Sequence, residues 1–116
     1  MILVRLYTSE EKIRGVKLSG HGGAARGNDL VCAAVSAVAE TALAGLLHYG
    51  GDRVSWHLDE GLLSIRILEP PEDDEEHEPL NVIMNTLAIG MREIAREHPE
   101  RVRVELEQDT GIPDET

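Results

Sequence analysis

An alanine-rich apolar run, residues 30–50, constrains the fold of this chain more than any other feature, because such a run can only form a helix. Asp29 is a good N-cap, since its carboxylate can accept hydrogen bonds from the free amides of the first turn. Gly50-Gly51 supplies the glycine expected at the end of a helix. Apolar side chains recur at helical spacing along the run, at Val31, Val35, Val38, Ala42 and Leu46.

The rest of the chain contains one further helical pattern and five segments of strand pattern. Residues 80–98 form a second amphipathic stripe, which Pro99 ends. Residues 69–79 are rich in acidic side chains and proline and predict an exposed loop. Apolar and polar residues alternate, as they do in strands, over residues 2–7, 13–19, 53–59, 62–68 and 101–107.

The element order ββαββαβ, with two predicted hairpins, indicates a mostly antiparallel sheet. Two amphipathic helices beside such a sheet predict an α+β two-layer sandwich in which both helices lie on one face. A chain of 116 residues is long enough for one hydrophobic core and too short for two. We therefore expect a single domain over residues 1–108 and a C-terminal tail over residues 109–116.

The single cysteine, Cys32, excludes an intrachain disulfide framework and indicates a reducing compartment. No apolar run reaches about 18 residues without charged or polar breaks, so we expect no membrane span. The N-terminus enters a strand at once, which leaves no room for a signal peptide. These observations predict a cytoplasmic protein.

The formal net charge is −11, which argues against binding to nucleic acid, because phosphate contacts need clustered lysine and arginine. An acidic chain can instead attract a basic partner or substrate. For the charge taken alone, the simpler explanation is a solvated surface. The same two explanations apply to the acidic run Glu72 to Glu78: it is a solvated loop, or a docking strip for a basic peptide.

Cys32 and His21 form a candidate nucleophile and base. Cys32 would lie in the first turn of the long helix, where unpaired amides and the helix dipole favour a thiolate. His21, at the end of the preceding strand, could take the proton of the thiol and later protonate a leaving amine. The loop between them suits a backbone that approaches a substrate or directs amides at an oxyanion. Its candidate residues are Gly20, Gly22, Gly23, Gly27 and Asn28.

Several residues near this pair have alternative roles. Asp29 can cap the helix or orient His21, and Ser36 can bond near the site or back to a helix carbonyl. A lone cysteine in an alanine-rich helix is more often a small core residue than a nucleophile. The set His21, Cys32, His48 and His57 lacks the paired spacing of structural zinc sites, so we expect no metal. The loop has neither a Walker lysine nor a dinucleotide fingerprint, and we expect no cofactor.

The residues around Cys32 resemble the signature of the ribosomal-processing cysteine protease family, Prp. That signature is Gly-His, a variable loop, Gly-x-Asp-Ile/Leu-Val-Cys-Ala, and a serine four residues after the cysteine. This chain has Gly20-His21 and then, after the loop, Gly27-Asn28-Asp29-Leu30-Val31-Cys32-Ala33-Ala34-Val35-Ser36. Family members often carry alanine directly after the histidine, where this chain has Gly22.

The resemblance implies a cytoplasmic cysteine protease, commonly a homodimer, with a two-layer α/β fold. Family members remove a short N-terminal extension from ribosomal large-subunit protein twenty-seven during ribosome assembly. By position, Cys32 is the nucleophile, His21 the general base, and Asp29 and Ser36 the supporting residues. The loop 22–28 would close over a basic ribosomal peptide, with no role for nucleic acid or membrane. The competing hypothesis is a non-catalytic acidic module or assembly factor that holds a basic ribosomal protein.

Overall fold

The computed structural model describes residues 1–20, 30–68 and 78–110, and its element order ββαββαβ is the predicted one. A short 3-10 turn, Gly51–Arg53, joins the first helix to the third strand. The strands are β1 (Ile2–Ser9), β2 (Lys12–Ser19), β3 (Val54–Asp59), β4 (Leu62–Ile67) and β5 (Val102–Gln108), and the helices are α1 (Leu30–Gly50) and α2 (Pro79–Glu97).

The five strands form one sheet in the order β3-β4-β2-β1-β5. The pairs β3–β4, β4–β2 and β2–β1 are antiparallel, whereas β5 pairs with β1 in parallel. The prediction of a mostly antiparallel sheet is confirmed, and the parallel pair makes the sheet mixed. The parallel pair arises because α2 returns the chain to the end of the sheet where β4 began, so that β5 runs in the direction of β4 and β1.

Both helices pack on the same face of the sheet, as predicted. The core between the two layers takes alternate residues from the strands and the inward stripes of the helices. Val31, Val35, Ala42 and Leu46 of the predicted stripe are buried, and Val38 packs partly against them. The largest of the fully buried side chains are Val4, Leu6, Leu18, Val35, Leu46, Leu80, Met84, Leu87, Met91 and Val102.

The two helices lie side by side, each over a different half of the sheet. Helix α1 contacts β3, whereas α2 contacts β2 and β5. The helices approach each other closely at Gly45 and Gly90, where a Cβ atom would lie 3.3 Å from Ile83 Cδ1 and 3.3 Å from Val38 Cγ1 respectively. This contact defines the flank of α1 that faces α2.

By length and composition, the helical segment Leu30–Arg53 is apolar enough to cross a membrane, with a mean hydropathy of 2.0. In the structure, one stripe of α1 is buried against the sheet and another flank contacts α2. A core helix of this kind needs apolar residues for packing within the domain.

The predicted loop over residues 69–79 extended two residues too far, because Glu78 and Pro79 belong to the start of α2. The carboxylate of Glu78 accepts hydrogen bonds from the backbone amides of Leu80, at 3.1 Å, and Asn81, at 3.3 Å. The same side chain pairs with Arg53 at 3.2 Å and is 15% exposed. Pro79 occupies the first turn, where its missing N–H costs nothing. The last residue of the acidic run is therefore a structural cap.

Asp109, at the start of the predicted tail, contacts the sheet. Its N–H donates to the carbonyl of Thr8 at 2.7 Å. Its carboxylate accepts from Nη1 of Arg66 at 2.9 Å. Residues 111–116 of the predicted tail lie outside the described part of the chain.

Replacing the cap of α2 should destabilise the domain. We expect Glu78→Ala to lower the free energy of unfolding by about 1–2 kcal/mol, because two first-turn amides and Arg53 lose a partner. Glu78→Gln keeps an acceptor and should cost less. Urea unfolding measures both, with the exposed Glu100→Ala as the matched loss of one acidic charge. Equal effects of Glu78→Ala and Glu100→Ala would contradict the capping role.

Candidate active site

Cys32 is the third residue of α1, so its sulfur lies in the first turn of the helix, as predicted. The side chain is half-buried and packs against the margin of the core. The partial exposure leaves the Cys32 side chain accessible from outside the core.

Cys32 and Ser36 share the flank of α1 that faces away from α2. Successive helix residues are rotated by about 100°, so residues four apart lie on one face. By the same rotation, Cys32 lies about 120° from Val38, and Ser36 lies about 180° from Gly45, the two residues that contact α2. Since α1 lies over the β3 half of the sheet, the Cys32 flank faces the β3 edge. Ser36 is half-buried like Cys32, one turn further along.

The site lies at one end of the sheet. There Ser19, the last residue of β2, pairs with Leu3 and Leu62, and Leu62 also pairs with Asp59. The other end of α1 meets the start of β3, because a Cβ atom on Gly50 would lie 2.9 Å from Val54 Cγ2. Helix α1 therefore runs antiparallel to β3, and its first turn lies toward the Asp59 end.

Gly20 holds the chain at the point where it leaves β2. Its φ of +83° is in the left-handed region, and a Cβ atom would lie only 2.4 Å from the carbonyl oxygen of Met1. Its N–H donates to the carbonyl of Gly61 at 3.1 Å. The glycine of the Gly-His pair is thus required by backbone conformation and close approach, a role in addition to the predicted contact with substrate.

The other predicted site residues lie outside the described part of the chain. They are His21, the supporting Asp29, and the loop residues Gly22, Gly23, Gly27 and Asn28. Of the predicted set, the structure places Cys32 and Ser36 on one helix face and Gly20 at the end of β2.

Two other histidines considered as metal ligands, His48 and His57, lie apart from Cys32. His48 is 16 residues further along α1, about 24 Å away, and its ring packs edge-on against Tyr49 at 4.8 Å. His57 lies on β3, where its Nε2 is 4.0 Å from a carboxylate oxygen of Asp59. Within residues 1–20, 30–68 and 78–110, no group of three histidine, cysteine or acidic residues could hold a metal ion.

Sequence analysis missed two exposed apolar side chains on the Cys32 side of the sheet. The alternation over residues 53–59 predicts that Trp56 and Leu58 lie on the same side of the strand as Val54, and they do share the helix-facing side with it. Val54 is buried, but Trp56 is 48% exposed and Leu58 is 49% exposed. The alternation was correct, and the exposure follows from the place of β3 at the edge of the sheet.

Comparison with known proteins relates the whole domain to one protease family. The family model described as cysteine protease Prp matches residues 1–103. A comparison with curated protein sequences found no match. The crystal structure of SMU.848 from Streptococcus mutans is 23% identical, covers 94% of this chain and 96% of its own, and superposes with a TM-score of 0.79.

Two structures of the ribosomal processing protease Prp from Staphylococcus aureus are also similar. One contains a covalently linked product peptide; it is 26% identical, with a TM-score of 0.76 and coverage of 92% of this chain and 100% of the other. The second contains a substrate peptide and is 23% identical, with the same TM-score and coverage.

Gly20→Ala should destabilise the domain more than a left-handed backbone alone explains. The strain of the positive φ costs about 1–2 kcal/mol, and the approach to the Met1 carbonyl adds a steric cost. Gly51→Ala is the matched control, since Gly51 has a φ of +52° and no atom lies within 4 Å of the position that its Cβ would take. Thermal and urea unfolding compare the two. A loss for Gly20→Ala no larger than that for Gly51→Ala would contradict the steric argument.

Proposed function

Because this chain belongs to the Prp family of cysteine proteases, we propose that it removes a short N-terminal extension from ribosomal large-subunit protein twenty-seven. Cys32 is the nucleophile and His21 the general base of this reaction. The observation that carries the proposal is the partly buried Cys32 side chain in the first turn of α1, in a chain whose β2 ends directly at the Gly-His pair. The peptides bound in the Staphylococcus aureus Prp structures support a peptide substrate.

The chemistry follows from these two groups. His21 takes the proton of the Cys32 thiol, and the sulfur attacks the carbonyl carbon of the scissile peptide bond. The tetrahedral intermediate collapses as His21 gives its proton to the leaving amine, which leaves a thioester on Cys32. Water, deprotonated by His21, then attacks the thioester and releases the new carboxylate together with the free thiol. One water is consumed for each bond that is cut.

The neighbouring residues support this reaction in the proposal. Asp29 precedes α1 and holds the helix start or orients the imidazole, and Ser36 lies on the Cys32 face one turn further along. The loop residues Gly22, Gly23, Gly27 and Asn28 close over the substrate and bring backbone amides to the oxyanion. No cofactor or metal takes part in these steps.

The proposal places the enzyme in the cytoplasm, where ribosomal proteins are made, and as a homodimer. A second copy fits the groove of about 370 Å³ between the helices, which is lined mainly by apolar side chains that include Val38, Tyr49, Val82 and Ile83. Two chains of net charge −11 repel each other over most of their surface. None of the described residues that line this groove is charged, so contact there avoids that repulsion.

Cys32→Ser should abolish cleavage of a peptide that spans the N-terminal extension of the organism's own protein twenty-seven. We expect the rate to fall by at least about a thousandfold, because the hydroxyl is a far weaker nucleophile. The melting temperature should stay within a few degrees, since the side chain is only half-buried. Ala33→Ser introduces the same hydroxyl on another face of the first turn and should retain activity. Loss of stability with full activity in Cys32→Ser would support the core-cysteine hypothesis.

The acidic charge should accelerate capture of a basic substrate. We expect kcat/KM to fall by about tenfold as salt is raised, because screening weakens attraction between the enzyme and the peptide. The matched control is the same peptide with its lysine and arginine residues replaced by glutamine, whose cleavage should vary much less. Equal salt dependence for both peptides would rule out steering by charge.

A further inference from the structure

We propose that the substrate binds as an additional strand on the β3 edge and places an apolar side chain against Trp56 and Leu58. This inference rests on the proposed function, which it extends from the reacting atoms to the segment of substrate beside them. It assigns substrate binding to an edge strand and specificity to two residues outside the Cys-His motif.

The backbone of β3 has a free edge. Among the described residues β3 pairs with β4 alone, and it is the terminal strand of the sheet. The N–H of Leu68 donates to the carbonyl of Arg53 at 2.7 Å, which identifies residues 53 and 68 as a hydrogen-bonded pair. Such pairs alternate along an antiparallel ladder. Residues 55, 57 and 59 therefore bond to β4, whereas residues 54, 56 and 58 direct their N–H and C=O groups outward.

Within the described part of the chain, this edge carries none of three features that commonly block strand addition. Natural edge strands carry proline, lysine or a bulge, but residues 54–59 have neither residue type, and their register with β4 is continuous. The opposite edge differs, because β5 carries charges on its outer face. There Arg5 lies 3.9 Å from Glu105 and 3.7 Å from Glu107, and Arg103 lies 3.9 Å from Glu105. The two edges of the described sheet are thus unequal in charge, and β3 is the one that we assign to strand pairing.

The open edge runs toward the end of the sheet where α1 begins. Trp56 and Leu58 project from the helix-facing side of β3, since they pair with the buried Ile65 and Leu63. Helix α1 lies over this half of the sheet and turns its Cys32 flank toward the same edge. A strand added to β3 would have alternate side chains beside Trp56 and Leu58, and its continuation past Asp59 would lead toward the start of α1.

The charges at this edge favour a basic peptide as the occupant. Strand β3 ends at Asp59-Glu60, and both residues are exposed. A second copy of this chain would bring its own Asp59 and a net charge of −11 to the same edge, which is unfavourable. The occupant that fits is an extended segment with lysine or arginine residues and with apolar side chains at alternate positions. The basic residues complement the acidic charge, and the apolar side chains can contact the exposed indole.

Fluorescence can show whether a peptide covers Trp56, because Trp56 is the only tryptophan in the chain. We would titrate the Cys32→Ser protein with the uncut peptide of the ribosomal extension and follow tryptophan emission. A saturable shift to shorter wavelength is expected, as the indole leaves water. Binding seen by anisotropy of a labelled peptide with unchanged emission would overturn the proposal. A shift that depends on protein concentration without peptide would show that a second copy covers β3, and would also overturn it.

Kinetics tests the two side chains separately from the chemistry. We expect Trp56→Ala and Leu58→Ala to raise KM by about five- to twentyfold with kcat changed by less than about twofold, since each loses half-exposed apolar surface. The matched control is Leu106→Ala, which removes a 60% exposed leucine from the helix-facing side of the opposite edge strand. An unchanged KM, or the same change in Leu106→Ala, would contradict the assignment. The rate at which iodoacetamide alkylates Cys32 should be the same in all three variants as in the native protein. An equal rate verifies that the surroundings of Cys32 are intact.

The backbone contribution is tested with N-methylated peptides. Methylation at alternate residues should weaken binding to the Cys32→Ser protein by about tenfold, and methylation at the intervening residues should not, because only alternate amides of an added strand face β3. Losses of affinity that do not alternate along the peptide would overturn strand addition.

Failure of the proposed function would be distinguishable from failure of the binding site. If the native protein binds the peptide with the shift in Trp56 emission but does not cut it, the edge site stands and the peptidase assignment falls. If the protein cuts the peptide but the Trp56 and Leu58 variants have an unchanged KM, the peptidase assignment stands and the edge site falls.

Discussion

The packing of the first turns of α1 against the sheet determines the geometry of the site. Val31 and Val35, on either side of Cys32 in the sequence, are 7% and 0% exposed. Burial of each such side chain contributes about 1.5–3 kcal/mol to the stability of the fold. Unwinding or rotating the beginning of the helix would lose this free energy. Because helical rotation links all side chains, burial of these two residues also sets the direction of the sulfur. The proposed nucleophile therefore owes its orientation to the packing of two neighbours in the core.

Much of the architecture was predictable because it depends on local patterns. Strict alternation from Ile2 onward and the apolar stripe of α1 each indicate one kind of element, and the observed bounds lie within a few residues of those predicted. The position of Cys32 in the first turn follows from the same pattern. The two-residue error at Glu78 arose because an acidic side chain next to other acidic residues looks like part of a loop, whereas its contacts with Arg53 and Leu80 are visible only in three dimensions.

The remaining features depend on the order of strands, which no local pattern encodes. Alternation showed that Trp56 and Leu58 share a side with Val54, but their exposure depends on β3 being the edge strand and on how far α1 extends over it. The parallel pairing of β5 with β1 depends likewise on where α2 returns the chain. On the outer face of the sheet, the contact of Arg66 with the ring of Tyr7, at 5.7 Å, joins residues nearly sixty positions apart. Such contacts follow from topology.

The tight connection between α1 and β3 has a mechanical consequence. Only the three residues of Gly51–Arg53 separate the helix from the strand, and Gly50 leaves no room for a side chain beside Val54. This connection joins α1 directly to the proposed binding strand, whereas residues 21–29 are inserted in the sequence on the other side of Cys32. If the proposal holds, lengthening or shortening that loop would alter how fast a bond is cut. The choice of bond would not change, because it depends on β3 and its connection to α1.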